Sequence, residues 1–475
     1  MTTPNEQVPD LEGALKEREQ ETSKYFDMVK AWNEVIVNNI FEHESYETLF
    51  DGVLGYQFKE CHNDMIKFQD KNPKSLVLAP RGIGKSTVLT VGRVIFELIR
   101  NRNIRILITS NTQLQAEIFL REIKTHFEAN EKLIEVFGDL VGDKWDGKEI
   151  NIKGRKTFAK ESSVSCCGVG GAIVGRHYDL IVADDLVDEE NARTELQRER
   201  FRIWFYKALF PTLEPDGRFF MHGTRYYPSD HYGYVINKDE DFKHKVFPAI
   251  VKNDKGEESS IWAEKMSLEW LYGRKRALGS AIFESQYMNS THAMEGKIFQ
   301  YEHFRYYDIL PPDLKIYQGI DLAISKKETA DYFVICTIGI DDQKRIFVID
   351  VFKTRLSFLK QYEAIVERFD RFKPMRVFIE SNAYQGSQAS MLLATTDVRV
   401  KPLITLKDKV TRAWHISSKF ENGMVFFPRY GMDDFKEELI SFPDVDHDDQ
   451  LDAFMLALEG TTKKRKKPRS EPGLI

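Results

Sequence analysis

The sequence predicts an α/β protein with two domains, each built on its own sheet. Its 475 residues exceed what one compact core usually accommodates. Between about residues 45 and 240, short apolar runs such as SLVLA and YDLIVAD alternate with amphipathic segments, as in a mainly parallel sheet with crossover helices. A second α/β region starts at KIYQGIDLAIS. Its first three strands follow one another directly, which predicts an antiparallel meander within a mixed sheet.

These patterns divide the chain into five predicted segments. The boundaries are 1–44 for a helical and charged N-terminal segment, 45–240 for the first α/β domain, 241–300 for a lid or linker, 301–462 for the second α/β domain and 463–475 for a basic, flexible tail. A short helix is expected in the linker, near Ser267–Leu278.

Composition favours a globular protein of the cytoplasm. Hydrophobic residues make up 42% and charged residues 30%. No window approaches 18 uncharged apolar residues, and the polar N-terminus lacks a secretory apolar region. The four cysteines, Cys61, Cys166, Cys167 and Cys336, have no zinc-binding spacing and are expected to be free thiols. The net charge of −6 is an average and does not exclude a local basic surface that binds DNA.

A glycine-rich loop follows the strand SLVLA. The segment Ala79–Ser86, APRGIGKS, departs from the phosphate-binding pattern G-x-x-x-x-G-K-[ST] only at its first residue. A helix follows, so backbone N–H groups and the helix N-terminus are expected to hold phosphate, with Ser86 as a magnesium ligand. The expected ATP contacts in the loop are Gly82, Gly84, Lys85, Ser86 and Thr87. The alternative is a chance Gly-Lys-Ser at a helix start.

A second ATP-site motif lies about a hundred residues downstream, where the strand LIVA ends in Asp184 and Asp185. Asp184 is expected to hold magnesium through water, and Asp185 to orient and polarise the attacking water. Together with the phosphate loop, this motif predicts that the first domain is an additional-strand P-loop ATPase. Many ATPases of that class have glutamate at the second acid position, so Asp185 has a shorter reach. The alternative is a pair of helix-capping aspartates after a buried strand.

Polar residues elsewhere extend this site. Gly223-Thr224-Arg225 closes the next strand, FFMHG, where a polar side chain is placed to sense the γ-phosphate; a simple turn is the alternative. Gln57 and His62 precede the loop at a distance suited to gripping adenine, although on the sequence alone each is an ordinary surface or core residue.

The segments PRGIGKST, ILITSNTQLQAEIF, GAIVGRHYDLIVADDLVDEEN and MHGTRYYPSDHY together resemble the ATPase half of phage large terminases. The segment IWAEKMSLEWLYGRKRALGSAIFESQYMNS resembles that family's link between motor and nuclease. The resemblance implies that Arg81 acts in ATP hydrolysis, that Gly223 and Thr224 form the coupling motif, and that Gln57 grips adenine.

Three acidic positions of the second α/β region occur in the order of a ribonuclease-H-like fold. Asp321 lies in the first strand and Glu380 ends a later one, while Asp448, Asp449 and Asp452 open the last helix. Converging carboxylates repel one another unless divalent cations neutralise them, and oxygen ligands suit Mg²⁺ or Mn²⁺. Two such ions would activate a water and stabilise the leaving oxygen of a phosphodiester. The alternatives are a strand-end turn, a surface acid and a helix cap.

The run DDQLDAFMLAL resembles the last helix of Holliday-junction resolvases and terminase nucleases. That likeness points to Asp449 as the third metal ligand, with Asp448 or Asp452 assisting. Asp331 matches an acid often found beside the first strand in that family, but a structural role is expected for it. For the whole chain the likeness implies a terminase large subunit that packages double-stranded viral DNA with ATP and cuts it with Mg²⁺ or Mn²⁺. The implied partners are the portal protein, the small terminase subunit and further copies of this chain in a ring, in the cytoplasm of the infected host and outside the mature virion.

A motor of this kind grips the DNA backbone with lysine and arginine. The candidate contacts are Arg176, Lys326, Lys327, Arg274, Lys275 and Arg276, each of which is otherwise a solvated surface charge, and the tail Lys463-Lys464-Arg465-Lys466-Lys467. Two other functions remain open at this point. One is a helicase-like ATPase, which would need a second domain like the first, and the other is a resolvase or integrase-like nuclease with a vestigial phosphate loop.

Overall fold

A computed structural model describes residues 11–294, 296–322, 332–380, 396–405, 408–445 and 447–462. The chain forms two compact units. The first comprises Met1–Leu268 with Ser285–Ser290, and the second comprises Glu269–Glu284 with Thr291–Ile475.

The first unit is built on an eight-stranded sheet. Its strands are β1 (Lys74–Leu78), β2 (Ile106–Ser110), β3 (Val141–Trp145), β4 (Glu149–Ile152), β5 (Val164–Gly168), β6 (Tyr178–Asp184), β7 (Leu213–Gly223) and β8 (Lys243–Val246). The order is β3-β4-β5-β2-β6-β7-β1-β8, and all pairs from β5 to β8 are parallel. Because β7 lies between β1 and β6, the sheet has the additional strand that the sequence predicts.

Helices connect the strands of this sheet, and some of them begin at a residue whose side chain caps the helix. They are α1 (Leu11–Phe41), α2 (Tyr46–Phe50), α3 (Glu60–Lys71), α4 (Arg93–Arg100), α5 (Gln113–Ala129), α6 (Glu131–Phe137), α7 (Glu189–Arg193), α8 (Glu195–Trp204) and α9 (His231–Lys238). A π-helical turn, Ser86–Gly92, precedes α4, and a small hairpin pairs β9 (Ile250–Lys252) with β10 (Glu258–Ser260). The Thr112 hydroxyl caps α5 and the Asp230 carboxylate caps α9.

The second unit is built on a seven-stranded mixed sheet. Its strands are β11 (Arg305–Tyr307), β12 (Lys315–Asp321), β13 (Phe333–Ile340), β14 (Ile346–Thr354), β15 (Arg376–Glu380), β16 (Val400–Leu403) and β17 (Val425–Pro428), in the order β11-β17-β14-β13-β12-β15-β16. The pairs β12–β13 and β13–β14 are antiparallel, which confirms the predicted meander. Strand β15 runs parallel to β12, with Ile379 opposite Ile320.

The helices of this unit are α10 (Leu268–Leu278), α11 (Ser280–Phe283), α12 (Phe358–Phe372), α13 (Lys409–Glu421), α14 (Asp433–Ser441) and α15 (Asp449–Thr462). Helix α15 packs directly on β12. Gly319 allows this approach, since a Cβ atom there would lie 2.0 Å from the Ala453 carbonyl oxygen. The tight packing fixes the start of α15 relative to the end of β12.

Helix α15 has few exposed positions and is therefore only weakly amphipathic. The side chains of Leu451, Phe454, Met455 and Leu458 are at most 2% exposed, as are those of Ala453, Leu456 and Ala457. Residues of α13 and α14 share the same core and cover the side of α15 that does not face the sheet. The few partly exposed positions of α15 include Asp452 and Glu459.

The described part of the chain contains no helix long and apolar enough to cross a membrane. The four cysteines are buried and unbridged, in agreement with the expectation of free thiols.

Candidate active sites

The predicted phosphate loop follows β1 and leads into the π-helical turn Ser86–Gly92. Gly82 and Gly84 adopt left-handed backbone conformations, with φ of +82° and +85°. Side chains with a Cβ are strained in that region, so the two glycines let the loop turn tightly and keep its N–H groups accessible. His62 supports the loop from below, because its Nε2 donates to the Ile83 carbonyl oxygen at 2.8 Å while its Nδ1 accepts from the Lys59 N–H.

Lys85 lies deep in the site, with 6% of its surface exposed. Its Nζ donates to the Thr224 hydroxyl at 3.0 Å and lies 3.5 Å from Asp185 Oδ2. Thr224 in turn donates to the Ala79 carbonyl oxygen at 3.4 Å. Gly223 cannot be larger, because a Cβ atom there would lie 2.2 Å from the Tyr232 hydroxyl. The two predicted coupling residues therefore join β7 to the phosphate loop.

Asp184 is fully buried at the end of β6 and accepts three hydrogen bonds. Ser86 Oγ donates to Oδ1 at 3.1 Å, and Thr90 Oγ1 donates to Oδ2 at 2.6 Å. His222 Nε2 lies 3.1 Å from the same Oδ2. Burial alone would raise the pKa of Asp184, but His222, Thr90 and Lys85 outweigh it and lower the pKa. Asp184 is thus held as a carboxylate beside the Ser86 hydroxyl, the arrangement expected of two groups that share a magnesium ion.

Asp185 follows β6 in a left-handed conformation, with φ of +43°. A residue with a side chain in this region is strained, and such strain is often found at functional sites. Burial raises the pKa of Asp185, and the charge of Asp184 adds to the increase, while Lys85 and Arg81 oppose it. A carboxylate with a raised pKa is a better hydrogen-bond acceptor for a water, which suits the role predicted for Asp185.

Arg81 is exposed at the tip of the phosphate loop, and its guanidinium donates to the Tyr226 hydroxyl at 2.5 Å. The same guanidinium lies 5.4 Å from the centre of the Tyr226 ring. Tyr226 lies in the segment MHGTRYYPSDHY, but the sequence predicted no role for it. Its neighbour Arg225 is buried against Asp230 and the carbonyl oxygens of residues 227 and 228, so it holds the loop together instead of facing the phosphate site.

The remaining predicted ATP contacts lie around the loop. Gln57 is exposed on the segment before α3, and Thr87 is partly buried in the π-helical turn. His62 is 1% exposed and packs edge-on against Trp262, with ring centres 5.1 Å apart. His62 therefore supports the loop. Of the two residues predicted to grip adenine, Gln57 is the exposed one.

In the second unit, Asp321 and Glu380 end the adjacent parallel strands β12 and β15, each one residue beyond the paired Ile320 and Ile379. Asp321 is crowded by other acids. Burial raises its pKa well above the ordinary value, and Asp452, Asp449 and Glu380 raise it further, while Lys409 opposes them. All five predicted acids therefore lie in one cluster, because three of them act on Asp321 and Asp448 acts on Asp452. Glu380 also accepts a hydrogen bond from the Thr405 hydroxyl.

The three acids at the start of α15 have different partners. Asp448 and Asp452 both contact Lys409, each at 2.5 Å from Nζ. Arg412 lies 3.5 Å from Asp452 and donates to Glu459 at 2.6 Å. Burial raises the pKa of Asp452 to about 6 even though Lys409 and Arg412 lower it.

Asp449 is 5% exposed, and its Oδ2 lies 3.6 Å from His447 Nδ1. The start of its helix is fixed by Glu438 of α14, which accepts hydrogen bonds from the Leu451 N–H at 2.8 Å and from Gln450 Nε2 at 2.6 Å. Glu438 thus caps the N-terminus of α15 from a neighbouring helix. Sequence reasoning missed Glu438, Lys409 and Arg412, since no motif surrounds them.

The donor set of this cluster fits a divalent cation, because it consists of buried carboxylates whose mutual repulsion a cation would relieve. Within the described residues, no three acidic, cysteine or histidine side chains are arranged to enclose an ion. The contacts explain this, since Asp448 and Asp452 face Lys409 and Glu380 faces Thr405. Asp331 lies outside the described residues.

Three of the residues predicted to contact DNA have a partner within the chain. Arg176 pairs with Glu149, Lys275 lies 3.1 Å from Glu284, and Arg274 stacks 4.8 Å over the Trp270 ring. Arg276 is exposed. Lys326, Lys327 and the basic tail lie outside the described residues.

Residues 318–460 match the family model of the terminase RNaseH-like domain. Among solved structures, the large terminase of the thermophilic bacteriophage D6E matches 84% of this chain and 98% of its own, with 12% identity and a TM-score of 0.52. The same protein in complex with ATP-gamma-S again matches 84% of this chain and 98% of its own, with 10% identity and a TM-score of 0.51. No curated protein matches the sequence significantly.

Identities this low show a shared fold, and the family match covers the second α/β region. The chain therefore has the two-domain fold of phage large terminases, with an additional-strand ATPase fold followed by a ribonuclease-H-like domain, and its residues 318–460 match the model of the terminase RNaseH-like domain.

Proposed function

We propose that this protein is a terminase large subunit that uses ATP to move double-stranded viral DNA into a procapsid and cuts that DNA with a metal-dependent endonuclease. The observation that carries the proposal is the presence of two separate sites in one chain. Lys85, Asp184 and Thr224 lie together at the phosphate loop of the first unit, where they would form a phosphate and magnesium site. Asp321 is surrounded by further acids in the second unit.

In the ATP site, Lys85 and the loop N–H groups bind phosphate, Ser86 and Asp184 would hold magnesium, and Asp185 would polarise the attacking water. Bound magnesium supplies charge neutralisation at the phosphates. Arg81 is held at the loop tip by Tyr226 and is placed to stabilise charge on the transferred phosphoryl group. Thr224 accepts a hydrogen bond from Lys85 and would transmit a change in the position of that side chain to β7.

In the nuclease site, Asp321, Glu380 and Asp449 would hold one or two Mg²⁺ or Mn²⁺ ions. These cations supply Lewis acidity and an activated water for phosphodiester hydrolysis. The proposed partners are double-stranded DNA, the portal protein, the small terminase subunit and other copies of the chain, in the cytoplasm of the infected host. A helicase-like function is disfavoured, because the second sheet contains an antiparallel meander and does not repeat the parallel sheet of the first unit.

The test is to incubate the purified full chain with linear double-stranded DNA, ATP and Mn²⁺ and to measure hydrolysis and cleavage together. We expect both activities in the wild type. Lys85→Ala should abolish ATP hydrolysis and leave nicking intact, and Asp321→Ala should do the reverse. Loss of both activities in either folded variant would contradict independent sites, and absence of ATP hydrolysis in the wild type would point to a nuclease with a vestigial phosphate loop.

A further inference from the structure

Lys409 contacts two acids of the carboxylate cluster at once. Its Nζ lies 2.5 Å from Asp448 Oδ1 and 2.5 Å from Asp452 Oδ2. Its side chain is 35% exposed, whereas that of Asp452 is 17% exposed. The charge of Lys409 also reaches Asp321, the acid at the end of β12. The ammonium group thus lies inside the cluster and not on the surrounding surface.

An ordinary surface ion pair is the simpler explanation, but the position of Lys409 argues against it. Lys409 is the first residue of α13, and the Asp408 side chain caps that helix by accepting from the Thr411 N–H at 3.0 Å. A cation is unfavourable at a helix N-terminus, where the helix dipole is positive. An exposed ion pair would contribute little stability. The two carboxylates of α15 compensate for this unfavourable position because they bind the ammonium together.

We propose that Lys409 is a built-in counter-ion that occupies Asp448 and Asp452, so that the divalent cation at the nuclease site is held by Asp321, Glu380 and Asp449. The inference rests on the proposed nuclease function and deepens it by assigning the ligands. Arg412 reinforces the arrangement, since it approaches Asp452 from the next turn of α13 and is itself anchored by Glu459. The helix α13 therefore presents two cations to one side of α15 and leaves the side of Asp449 to the metal.

This arrangement gives Lys409 a definite effect on metal binding. A bound divalent cation and the ammonium group repel one another, so Lys409 lowers the affinity of the site for a cation. It also prevents Asp448 and Asp452 from forming a second cation site when DNA is absent. Lys409 is accordingly a positioning residue, and its removal should be visible in metal binding without any measurement of DNA cleavage.

The probe is Mn²⁺ alone, titrated into the full chain without DNA and followed by the electron paramagnetic resonance signal of free Mn²⁺. We expect Lys409→Met to bind at least one additional Mn²⁺, or to bind Mn²⁺ about ten-fold more tightly, than the wild type. Lys409→Arg, which keeps the charge, should behave as the wild type. Lys315→Met is the matched control, because Lys315 pairs with the exposed Asp342 in the turn between β13 and β14.

A double variant covers the case in which Lys409→Met does not fold. Asp448→Asn with Asp452→Asn frees the ammonium of Lys409 and should weaken Mn²⁺ binding without abolishing it, since neither side chain is a ligand under this inference. Unchanged binding in a folded Lys409→Met variant, or loss of binding in the double variant, would overturn the role of Lys409 alone. Absence of Mn²⁺ binding in the wild type would instead overturn the proposed nuclease site.

Discussion

Lys85 donates a hydrogen bond from Nζ to the hydroxyl oxygen of Thr224 over 3.0 Å, which joins the phosphate-binding loop to the end of β7. Because β7 separates the strands that carry the loop and Asp184, this bond is positioned to report a change at the phosphates to the centre of the sheet. Thr224→Ala removes the acceptor and should lower kcat for DNA-stimulated ATP hydrolysis at least about ten-fold, the effect of one lost buried hydrogen bond.

Thr224→Ser keeps the hydroxyl and should retain most of the turnover. Steady-state ATPase kinetics separate the effect on kcat from that on KM. If the alanine variant raised KM and left kcat unchanged, Thr224 would serve nucleotide binding and not hydrolysis.

The second prediction concerns Asp185, whose carboxylate lies 3.5 Å from Lys85. Asp185→Asn should lose nearly all ATP hydrolysis, because an amide does not accept a proton from the attacking water. Asp185→Glu should retain part of it, since the carboxylate is the chemical requirement and its reach is secondary. Single-turnover hydrolysis of bound ATP measures the step directly. Wild-type turnover in the asparagine variant would transfer the role to Glu189 or Glu190.

Much of this fold was predictable because its signals are local. The phosphate loop, the strand ending in Asp184 and Asp185, and the meander of the second sheet each occupy one continuous stretch of sequence. The adjacency of Asp321 and Glu380 followed from the strand order expected of a ribonuclease-H-like fold. By contrast, the edge strand β8, KHKV, is exposed along its whole length and has no apolar pattern, and β5 consists of small and cysteine residues.

The supporting contacts were not predictable for a different reason. Lys409 and Asp448 are 39 residues apart, and Arg81 and Tyr226 are 145 apart. Such pairs depend on how helices and loops pack in three dimensions, and lysine, arginine and tyrosine are common surface residues whose type alone indicates no partner. The sequence therefore predicted which residues carry the chemistry better than which residues hold them in place.

A third prediction ranks the acids of the nuclease site. Asp321→Ala, Glu380→Ala and Asp449→Ala should each reduce Mn²⁺-dependent DNA nicking at least about a hundred-fold, because the ions lose a ligand. Asp452→Ala should stay partly active, since its loss mainly frees the ammonium of Lys409. Asp342→Ala, at an exposed acid in the turn between β13 and β14, is the control. Nicking of a supercoiled plasmid by folded variants measures the order, and an Asp452 variant as inactive as the other three would place that residue among the ligands.

A fourth prediction concerns acid stability. His231 is buried among the rings of Phe201, Phe205 and Tyr234, and burial lowers its pKa to about 3. The unfolded chain takes up a proton below about pH 6.5 whereas the folded chain does not, so the free energy of unfolding falls as the pH falls from about 6.5 towards 3.

The slope from this one histidine is about 1.4 kcal/mol per pH unit. His231→Phe should flatten the pH dependence of urea unfolding of the full chain between about pH 6 and pH 4. His303→Phe, at a partly exposed site in the second unit, is the control. An unaltered slope in the His231 variant would mean that the ring takes up its proton without unfolding.

The last prediction concerns Glu438, which fixes the start of α15 without belonging to it. Its carboxylate accepts from the Leu451 N–H at 2.8 Å, from Gln450 Nε2 at 2.6 Å and from Lys353 Nζ at 3.4 Å. Glu438→Gln keeps one side-chain oxygen that accepts from the Leu451 N–H. Its amide NH₂ group, however, faces a second donor, either Gln450 Nε2 or Lys353 Nζ. We expect the variant to fold with a stability lower by about 1–3 kcal/mol, the cost of an unsatisfied buried polar group.

Because Asp449 is the first residue of α15, loosening that end should also weaken Mn²⁺ binding at the nuclease site, although Glu438 is not a proposed ligand. Glu437→Gln is the matched control, since Glu437 is exposed on the same helix. Thermal unfolding and Mn²⁺ titration on the same samples separate the two effects. A variant that lost stability but bound Mn²⁺ as tightly as the wild type would show that the position of Asp449 is set by the packing of α15 on β12 and not by Glu438.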